Sequence, residues 1–170
     1  MKPTFLILVL LSNLILASEP INIESTRELF IDDFLIESLE NAEIRLSTPR
    51  DEGPVHKFDK SWEGPFCGYS TVIKDGGRDL LYYRGLPKSG KDGSEDETTC
   101  IITSTDGINW TRPELSNFLQ KKYPRNNIIL ANAAPVTHNF SPFLDTNPNV
   151  IPDQKFKALG GTENSGLIAY

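Results

Sequence analysis

The side chains best suited to chemistry lie in the irregular stretch 54–68, just before a predicted strand. Two acids, Asp59 and Glu63, occur there together with His56 and Trp62. Carboxylates and imidazoles can transfer protons, and aromatic faces can stack on ligands. Loops of this composition next to strands often carry ligand contacts. The stretch is therefore a candidate binding loop. The alternative is a surface loop on which Trp62 packs as a lid.

A second concentration of charge lies in 85–99, where four acids (Asp92, Glu95, Asp96 and Glu97) occur within six residues. Acidic loops of this kind are most often simply solvated. Their oxygens could also hold calcium. We predict no metal site and no cofactor from the sequence.

The stretch 100–110 predicts a β-strand that ends in a tight hairpin. Its β-branched residues alternate, and Ser104, Asp106 and Gly107 supply short polar side chains and a residue tolerant of positive φ. Trp110 then covers the apolar side of the hairpin. The pattern Ser-x-Asp-Gly-x-x-Trp resembles a shortened form of the Asp-box hairpin of sialidase-like propellers.

Strand-like segments recur in the same order further along the chain. Each set reads strand, turn, strand ending in glycine, loop, strand, and the alternation has period two. Such a repeat is typical of β-propellers, whose blades are four antiparallel strands. The first set is 70–76, 79–85 and 100–107, with a fourth strand at 126–130, and the second set is 141–147, 155–161 and 166–170.

Cys67 and Cys100 fall on the first and third predicted strands, with the second strand between them. Alternate strands lie nearly 10 Å apart, beyond the usual Cα separation of a disulfide. Their spacing also resembles no zinc motif. We predict two unpaired thiols.

Residues 1–18 have the pattern of a secretory signal peptide. Lys2 is followed by an apolar run, and Ala17 and Ser18 are small enough for cleavage. The run is short for a membrane span. This predicts a secreted or periplasmic protein with no membrane attachment after cleavage. An uncleaved anchor is the alternative.

The remaining chain is predicted to comprise three parts: N-terminal strands in 19–50, a first blade in 51–133 and a truncated second blade in 134–170. Within the first part, 27–36 predicts two short strands around an Asp32-Asp33 turn, with another strand at 43–46 and a helix over 34–40 as the alternative. A propeller ring needs at least four blades. We therefore expect a fragment of a larger ring. A small two-sheet β-domain complete in itself is the alternative.

The charge balance excludes some partners. Removal of 1–18, whose only charged residue is Lys2, changes the formal net charge from −6 to −7. An acidic chain without basic clusters argues against binding to nucleic acid or to anionic membranes.

Four stretches together carry a family resemblance. They are Arg-Glu-Leu-Phe-Ile-Asp-Asp-Phe-Leu-Ile at 27–36, Trp-Glu-Gly-Pro at 62–65, Asp-Leu-Leu-Tyr-Tyr-Arg at 79–84 and the hairpin ending at Trp110. The chain resembles secreted bacterial proteins of the five-bladed propeller glycoside-hydrolase superfamily, which includes families 32 and 43. The resemblance implies an all-β partial propeller with about two of five blades. It also implies a carbohydrate ligand, and hydrolysis of glycosidic bonds by the full-length ring, with the N-terminal strands completing the final blade and further blades following the chain.

Family enzymes carry an Asp at the start of the innermost strand in each of the first two blades, and a Glu in the third. Two carboxyl groups are needed because one protonates the leaving oxygen while the other attacks or activates water. The matching windows, 68–71 and 139–142, contain no acid. Glu63 is then the nearest first-blade candidate, with Asp59 next. Two other acids, Asp75 and Asp145, are predicted to be turn residues at the far ends of their strands.

The strand order predicts that several binding candidates share one rim. Arg84 could hold a hydroxyl or a carboxylate, and Trp62 and Tyr69 could stack on a sugar face. His138 and Glu163 are predicted on the same rim. The alternatives are an ion pair between Arg84 and the acidic loop, and a loop histidine with satisfied hydrogen bonds. The absent acids favour a non-catalytic sugar-binding propeller as the second hypothesis. The third is a non-functional fragment whose open sheet edge aggregates.

Overall fold

The computed structural model describes residues 19–88 and 90–170. The predicted signal peptide lies outside the described residues. In the described part, eight β-strands and one short 3-10 helix form, with no α-helix. The all-β prediction is therefore confirmed. None of these residues builds a helix with the length and hydropathy to cross a bilayer. The chain divides into two compact units, Met1–Pro49 and Arg50–Tyr170.

The predicted N-terminal strands are wrong. Residues 19–49 contain turns and bends but neither strands nor the alternative helix. The Asp32-Asp33 turn does form, because Oδ1 of Asp32 accepts a hydrogen bond from the backbone N–H of Phe34. The flanking apolar residues, however, find no sheet partner in this unit, and Leu29 and Ile31 are 81% and 85% exposed. A strand needs a neighbour to satisfy its backbone, so alternation alone was insufficient here.

The second unit begins with an antiparallel sheet, sheet 1. Its first three strands are β1 (Gly68–Asp75), β2 (Arg78–Gly85) and β3 (Thr98–Ser104), paired in chain order. The outer edge of β3 pairs with two short strands, β4 (Trp110–Thr111) near one end and β5 (Ile128–Leu130) near the other. The fourth strand predicted at 126–130 is thus confirmed, and it shares its edge with the hairpin strand β4.

Sheet 2 repeats the start of this pattern. It consists of β6 (Ser141–Leu144), β7 (Phe156–Thr162) and β8 (Gly166–Ala169), again antiparallel and in chain order. The 3-10 helix, Pro152–Gln154, lies between β6 and β7. Strand β6 lies against β1. The described strands form two open sheets and do not close into a barrel or ring.

The core of the second unit lies on one face of sheet 1. Cross-strand pairing places Tyr83 beside Cys100 and Leu81 beside Ile102. Tyr83, Cys100 and Ile102 are fully buried, together with Ile128 of β5. Each such aliphatic or aromatic side chain stabilises the fold by about 1.5–3 kcal/mol. The opposite face buries a second pair, Ile73 and Leu80, which are cross-strand partners.

The hairpin between β3 and β4 has the geometry that its sequence predicts. Oγ of Ser104 accepts hydrogen bonds from the backbone N–H groups of Asp106 and Gly107, at 3.2 and 2.9 Å. Oδ1 of Asp106 accepts from the N–H groups of Ile108 and Asn109, at 2.9 and 2.7 Å. The indole of Trp110 packs against the core and donates to the carbonyl of Gly107. The turn therefore positions Trp110 over the apolar face.

Candidate functional site at the rim of the sheets

Strand β2 separates the predicted site residues into two groups. Tyr83 and Arg84 are consecutive in β2, so their side chains point to opposite faces of sheet 1. Glu63 hydrogen-bonds to Tyr83 on the core face. Arg84 lies near His138 on the other face, since both contact the ring of Tyr69. The structure thus does not unite all the predicted rim residues in one site.

The carboxylate of Glu63 is fully buried and saturated with hydrogen bonds. Its Oε1 accepts from the hydroxyl of Tyr83 at 2.6 Å and from Nε of Arg112 at 2.9 Å. Its Oε2 accepts from Nη2 of Arg112 at 3.1 Å and from the backbone N–H of Lys60 at 2.8 Å. Burial is the main cause that raises the pKa of Tyr83. Its hydroxyl group therefore stays protonated and can donate a hydrogen bond. This is the pattern of a carboxylate that organises a loop.

Trp62 belongs to the same buried network. Its indole N–H donates to Oδ1 of Asn127 at 2.8 Å, and Nδ2 of Asn127 donates to the hydroxyl of Tyr83 at 2.7 Å. The indole also packs against Tyr123, with ring centroids 5.7 Å apart. The half-buried Trp62 therefore corresponds to the packed-lid alternative. Sequence reasoning missed Asn127 because it read 126–130 only as an apolar strand.

Asp59, the second catalytic candidate, lies on the surface. Its Oδ1 is 3.2 Å from Nη2 of Arg112 and 3.1 Å from Nζ of Lys60. The hydrogen bond from Lys60 is the main cause that lowers the pKa of Asp59. Asp59 thus neutralises the outer end of the Arg112 side chain, whose inner end is bound to Glu63.

The other group forms the rim cluster, which we define as Tyr69, Arg84, Asp92, Glu97 and His138. Nδ1 of His138 lies 3.1 and 3.2 Å from the two carboxylate oxygens of Glu97. Its Nε2 lies 3.8 Å from Oδ2 of Asp92. The guanidinium of Arg84 stacks 4.4 Å from the centroid of the Tyr69 ring. Three predicted binding residues, Tyr69, Arg84 and His138, are therefore brought together with two acids from the loop 86–97.

The rim cluster spans a wide range of burial. Glu97 and His138 are buried, whereas Asp92 is exposed and Tyr69 is 58% exposed. Arg84 lies between these extremes. It donates to the carbonyl of Phe66 at 3.0 Å and lies 3.8 Å from Glu97. The cluster therefore has a fixed, polar base and an open side that solvent or a ligand can reach.

Backbone geometry aims Tyr69 at this site. The register of β1 against β2 shifts between Gly68 and Thr71, so Tyr69 sits in an irregular pairing with φ of +54°. A bulky residue at positive φ is strained, and bulges re-aim side chains near sites. Asn139, which follows His138, has φ of +52° just before β6. A residue at positive φ thus lies at the start of β1, and another lies just before β6.

Two glycines allow the segments that carry the cluster to approach sheet 2. A Cβ on Gly93 would lie 2.7 Å from Thr162 at the end of β7, so the acidic loop can pass there only without a side chain. A Cβ on Gly160 would lie 2.1 Å from the carbonyl oxygen of Val136. The backbone N–H of Gly161 donates to the carbonyl of His138 at 2.8 Å. Sheet 2 therefore fixes the position of His138.

Polar atoms near the cluster retain hydrogen-bonding capacity. Nε of Arg84 and Oγ1 of Thr99 are buried and have no hydrogen-bond partner among the described residues. Arg84 and Thr99 are cross-strand partners, so their side chains share one face. Oγ1 of Thr137, next to His138, is also buried without a hydrogen-bond partner among the described residues. Such groups are uncommon in folded proteins and call for a partner.

The remaining predicted residues lie away from these contacts. Glu163 is exposed in the turn between β7 and β8, and it makes no hydrogen bond or ion pair within the described part of the chain. Asp75 is the last residue of β1, at the tight turn to β2, as predicted. Asp145 directly follows β6, but the connection to β7 contains the 3-10 helix and is not the predicted hairpin turn. Asp75 pairs with Arg78 at 3.1 Å and with Lys155 at 2.8 Å. The hydrogen bond from Lys155 is the main cause that lowers the pKa of Asp75, and the hydrogen bond from Arg78 lowers it further.

Both cysteines are unpaired thiols, as predicted. Burial is the main cause that raises the pKa of Cys67 and of Cys100, each to about 12. At neutral pH they are protonated and poorly nucleophilic.

Taken together, the fold and the site define an all-β protein with two antiparallel sheets and a mixed-charge rim cluster. Comparison of the chain with protein-family models, with curated proteins and with solved structures found no match.

Proposed function

We propose that the chain is the N-terminal part of an exported carbohydrate-active protein, and that the rim cluster contacts the sugar. In this proposal sheets 1 and 2 are successive blades of a five-bladed propeller, which hydrolyses glycosidic bonds when complete. Support comes from the recurrence of the strand order in both sheets and from the Ser104–Trp110 hairpin.

The observation that carries the binding proposal is the pairing of Tyr69 with Arg84. An exposed aromatic ring next to donors and acceptors suits a sugar, which has an apolar face and a ring of hydroxyls. Arg84 supplies donors at the ring of Tyr69, and Asp92 supplies exposed acceptors on the same rim. The base of the cluster, Glu97 with His138, is already fixed by mutual contacts. A ligand would therefore meet a preorganised surface.

Sugar binding without hydrolysis is the second candidate function, and the saturation of Glu63 favours it. A general acid must offer a proton to the leaving oxygen. Both oxygens of Glu63 are instead occupied by Tyr83, Arg112 and the N–H of Lys60. Hydrolysis by the complete ring would then rely on carboxylates other than Glu63.

Binding of the full chain to a glycan panel tests the first proposal. We expect Tyr69→Ala to weaken binding to any positive glycan by at least about tenfold, since each 1.4 kcal/mol of lost contact is a factor of ten. Tyr170→Ala is the matched control, because Tyr170 is another exposed tyrosine, at the end of sheet 2. Equal binding by wild type and Tyr69→Ala would refute a role for the rim cluster.

Turnover separates the two candidate functions. The complete protein should be assayed on a glycoside panel with and without Glu63→Gln. A sugar-binding protein gives no turnover in either form. Loss of turnover with intact binding, at a temperature where the variant is still folded, would instead identify Glu63 as a catalyst.

A further inference from the structure

We propose that Asp92, Glu97 and His138 bind a divalent first-row transition ion, for which Zn²⁺ is the probe. The proposal goes beyond sugar binding and does not depend on it.

The distances between the candidate ligand atoms are compatible with one ion. One atom from each of the three residues can be chosen so that all lie within 4.8 Å of one another. The closest pairs are 3.1 Å, between Nδ1 of His138 and Glu97, and 3.8 Å, between Nε2 of His138 and Asp92. In a tetrahedral zinc site, bonds of about 2.0–2.2 Å place ligand atoms roughly 3.4 Å apart. The distances of 3.1 and 3.8 Å start from different nitrogens of His138, and one imidazole binds an ion through one nitrogen. The exposed side chain of Asp92 must therefore move closer for all three residues to coordinate the same ion.

Burial differs among the three residues in a way that suits an accessible ion. Glu97 and His138 are buried, so their positions are set by packing. The Asp92 side chain is 78% exposed and lies at the solvent side. An ion could enter past Asp92 and keep a coordination position open to water or to a ligand oxygen.

The donor set indicates the class of ion. Calcium and magnesium prefer all-oxygen sites. An imidazole nitrogen with two carboxylates suits zinc, iron or manganese better. His138 lies 41 residues beyond Glu97 in the chain, so no local spacing motif marks this donor set.

The surrounding hydrogen bonds do not saturate Glu97. Arg84 is 3.8 Å away, and its Nη2 donates to the carbonyl of Phe66 instead. Its buried Nε makes no hydrogen bond to any described residue. Among the described residues, one backbone N–H donates to Glu97: that of Gly93, which lies 3.2 Å from Oε1. The remaining contact of Glu97 is with Nδ1 of His138, and an ion bound between the two residues would take the place of that contact.

Direct metal analysis tests the proposal on the full chain. The protein is treated with a chelator, dialysed against Zn²⁺ at neutral pH and assayed for metal content by mass spectrometry and for affinity by calorimetry. We expect one zinc ion per chain. His138→Gln and Asp92→Asn should each weaken zinc affinity by at least about tenfold. Asp96→Asn is the matched control, because Asp96 lies in the same loop but pairs with Lys88 at 3.6 Å.

The outcomes are separable. Unchanged zinc affinity in both His138→Gln and Asp92→Asn overturns the site, and calcium binding in place of zinc overturns the class of ion. Zinc lost on Cys67→Ser/Cys100→Ser would assign it to the thiols, which also overturns the proposal. If His138→Gln fails to fold, the exposed Asp92→Asn decides. The zinc measurements contain no sugar, so a failure to bind zinc is distinct from a failure to bind glycans.

Discussion

The hydroxyl group of Tyr83 donates a 2.6 Å hydrogen bond to Oε1 of Glu63, and both side chains are fully buried. The same oxygen accepts from Nε of Arg112. The loop before β1 is thereby attached to the centre of sheet 1 and to the segment after β4. Glu63 therefore has a structural role, because its carboxylate joins the loop to the strand.

Replacement of Glu63 should therefore destabilise the fold. In Glu63→Gln the guanidinium of Arg112 loses its buried counter-charge, and we expect a loss of about 3 kcal/mol in the free energy of unfolding. Tyr83→Phe removes one hydrogen-bond partner from Glu63 and one from Asn127, and should cost about 1–2 kcal/mol. Urea unfolding followed by circular dichroism measures both. A Glu63→Gln variant as stable as wild type would contradict this account.

Asp106, in the hairpin turn, should contribute stability that depends on pH. Hydrogen bonds from Asn109 and from neighbouring backbone N–H groups hold the pKa of Asp106 well below its usual range. The unfolded chain therefore binds this proton at higher pH than the folded chain. The stabilisation is complete above about pH 4, the ordinary Asp pKa, and is lost as pH falls further toward the folded pKa.

Thermal melts of wild type and Asp106→Asn measure this contribution. The difference in melting temperature should be constant from pH 5 to 7, and it should shrink as the pH is lowered below about 4. A difference that is independent of pH would show that the charge of Asp106 is not involved.

The close approach of Gly160 to Val136 predicts a steric effect at the rim. An alanine Cβ would lie 2.1 Å from a backbone carbonyl oxygen, so the segment that carries His138 must shift. We expect Gly160→Ala to destabilise the protein by about 1–3 kcal/mol and to weaken zinc binding. Gly77→Ala is the control, because nothing lies within 4 Å of its Cβ position. Equal melting temperatures for the two variants would contradict the packing described.

The thiols should be inert in the native protein. With pKa values raised to about 12, Cys67 and Cys100 carry little thiolate at pH 8, roughly one part in ten thousand. A disulfide-exchange reagent should label neither in buffer and both in guanidinium. Rapid labelling of Cys67 in buffer, or an intramolecular disulfide by mass spectrometry, would be inconsistent with the structure.

The sequence was informative where local patterns determine structure. The strands at 70–76 and 79–85, the fourth strand at 126–130 and the Ser104–Trp110 hairpin all form close to their predicted bounds. Alternation and turn residues suffice for β1, β2 and the hairpin because each pairs with the next strand in the chain, whereas β5 pairs with the more distant β3. At 27–36 the same kind of alternation was present, but no partner strand exists within 19–49.

The site could be predicted only in part. Tyr69, Arg84 and His138 were recognised from strand order, and they do meet. Glu97 was read as one of four solvated acids, yet it alone among them is buried. The buried Glu97 contacts His138 and Arg84, which are distant in the chain, and periodicity does not encode such contacts.

The positive φ of Tyr69 has a consequence for variation of this protein. Asparagine tolerates the left-handed conformation better than tyrosine does, and glycine adopts it freely. In a library randomised at positions 69 and 139 and screened only for heat tolerance, glycine and asparagine should be enriched at position 69. Position 139 already carries asparagine, so it should change little. A screen for ligand binding should instead retain an aromatic residue at position 69.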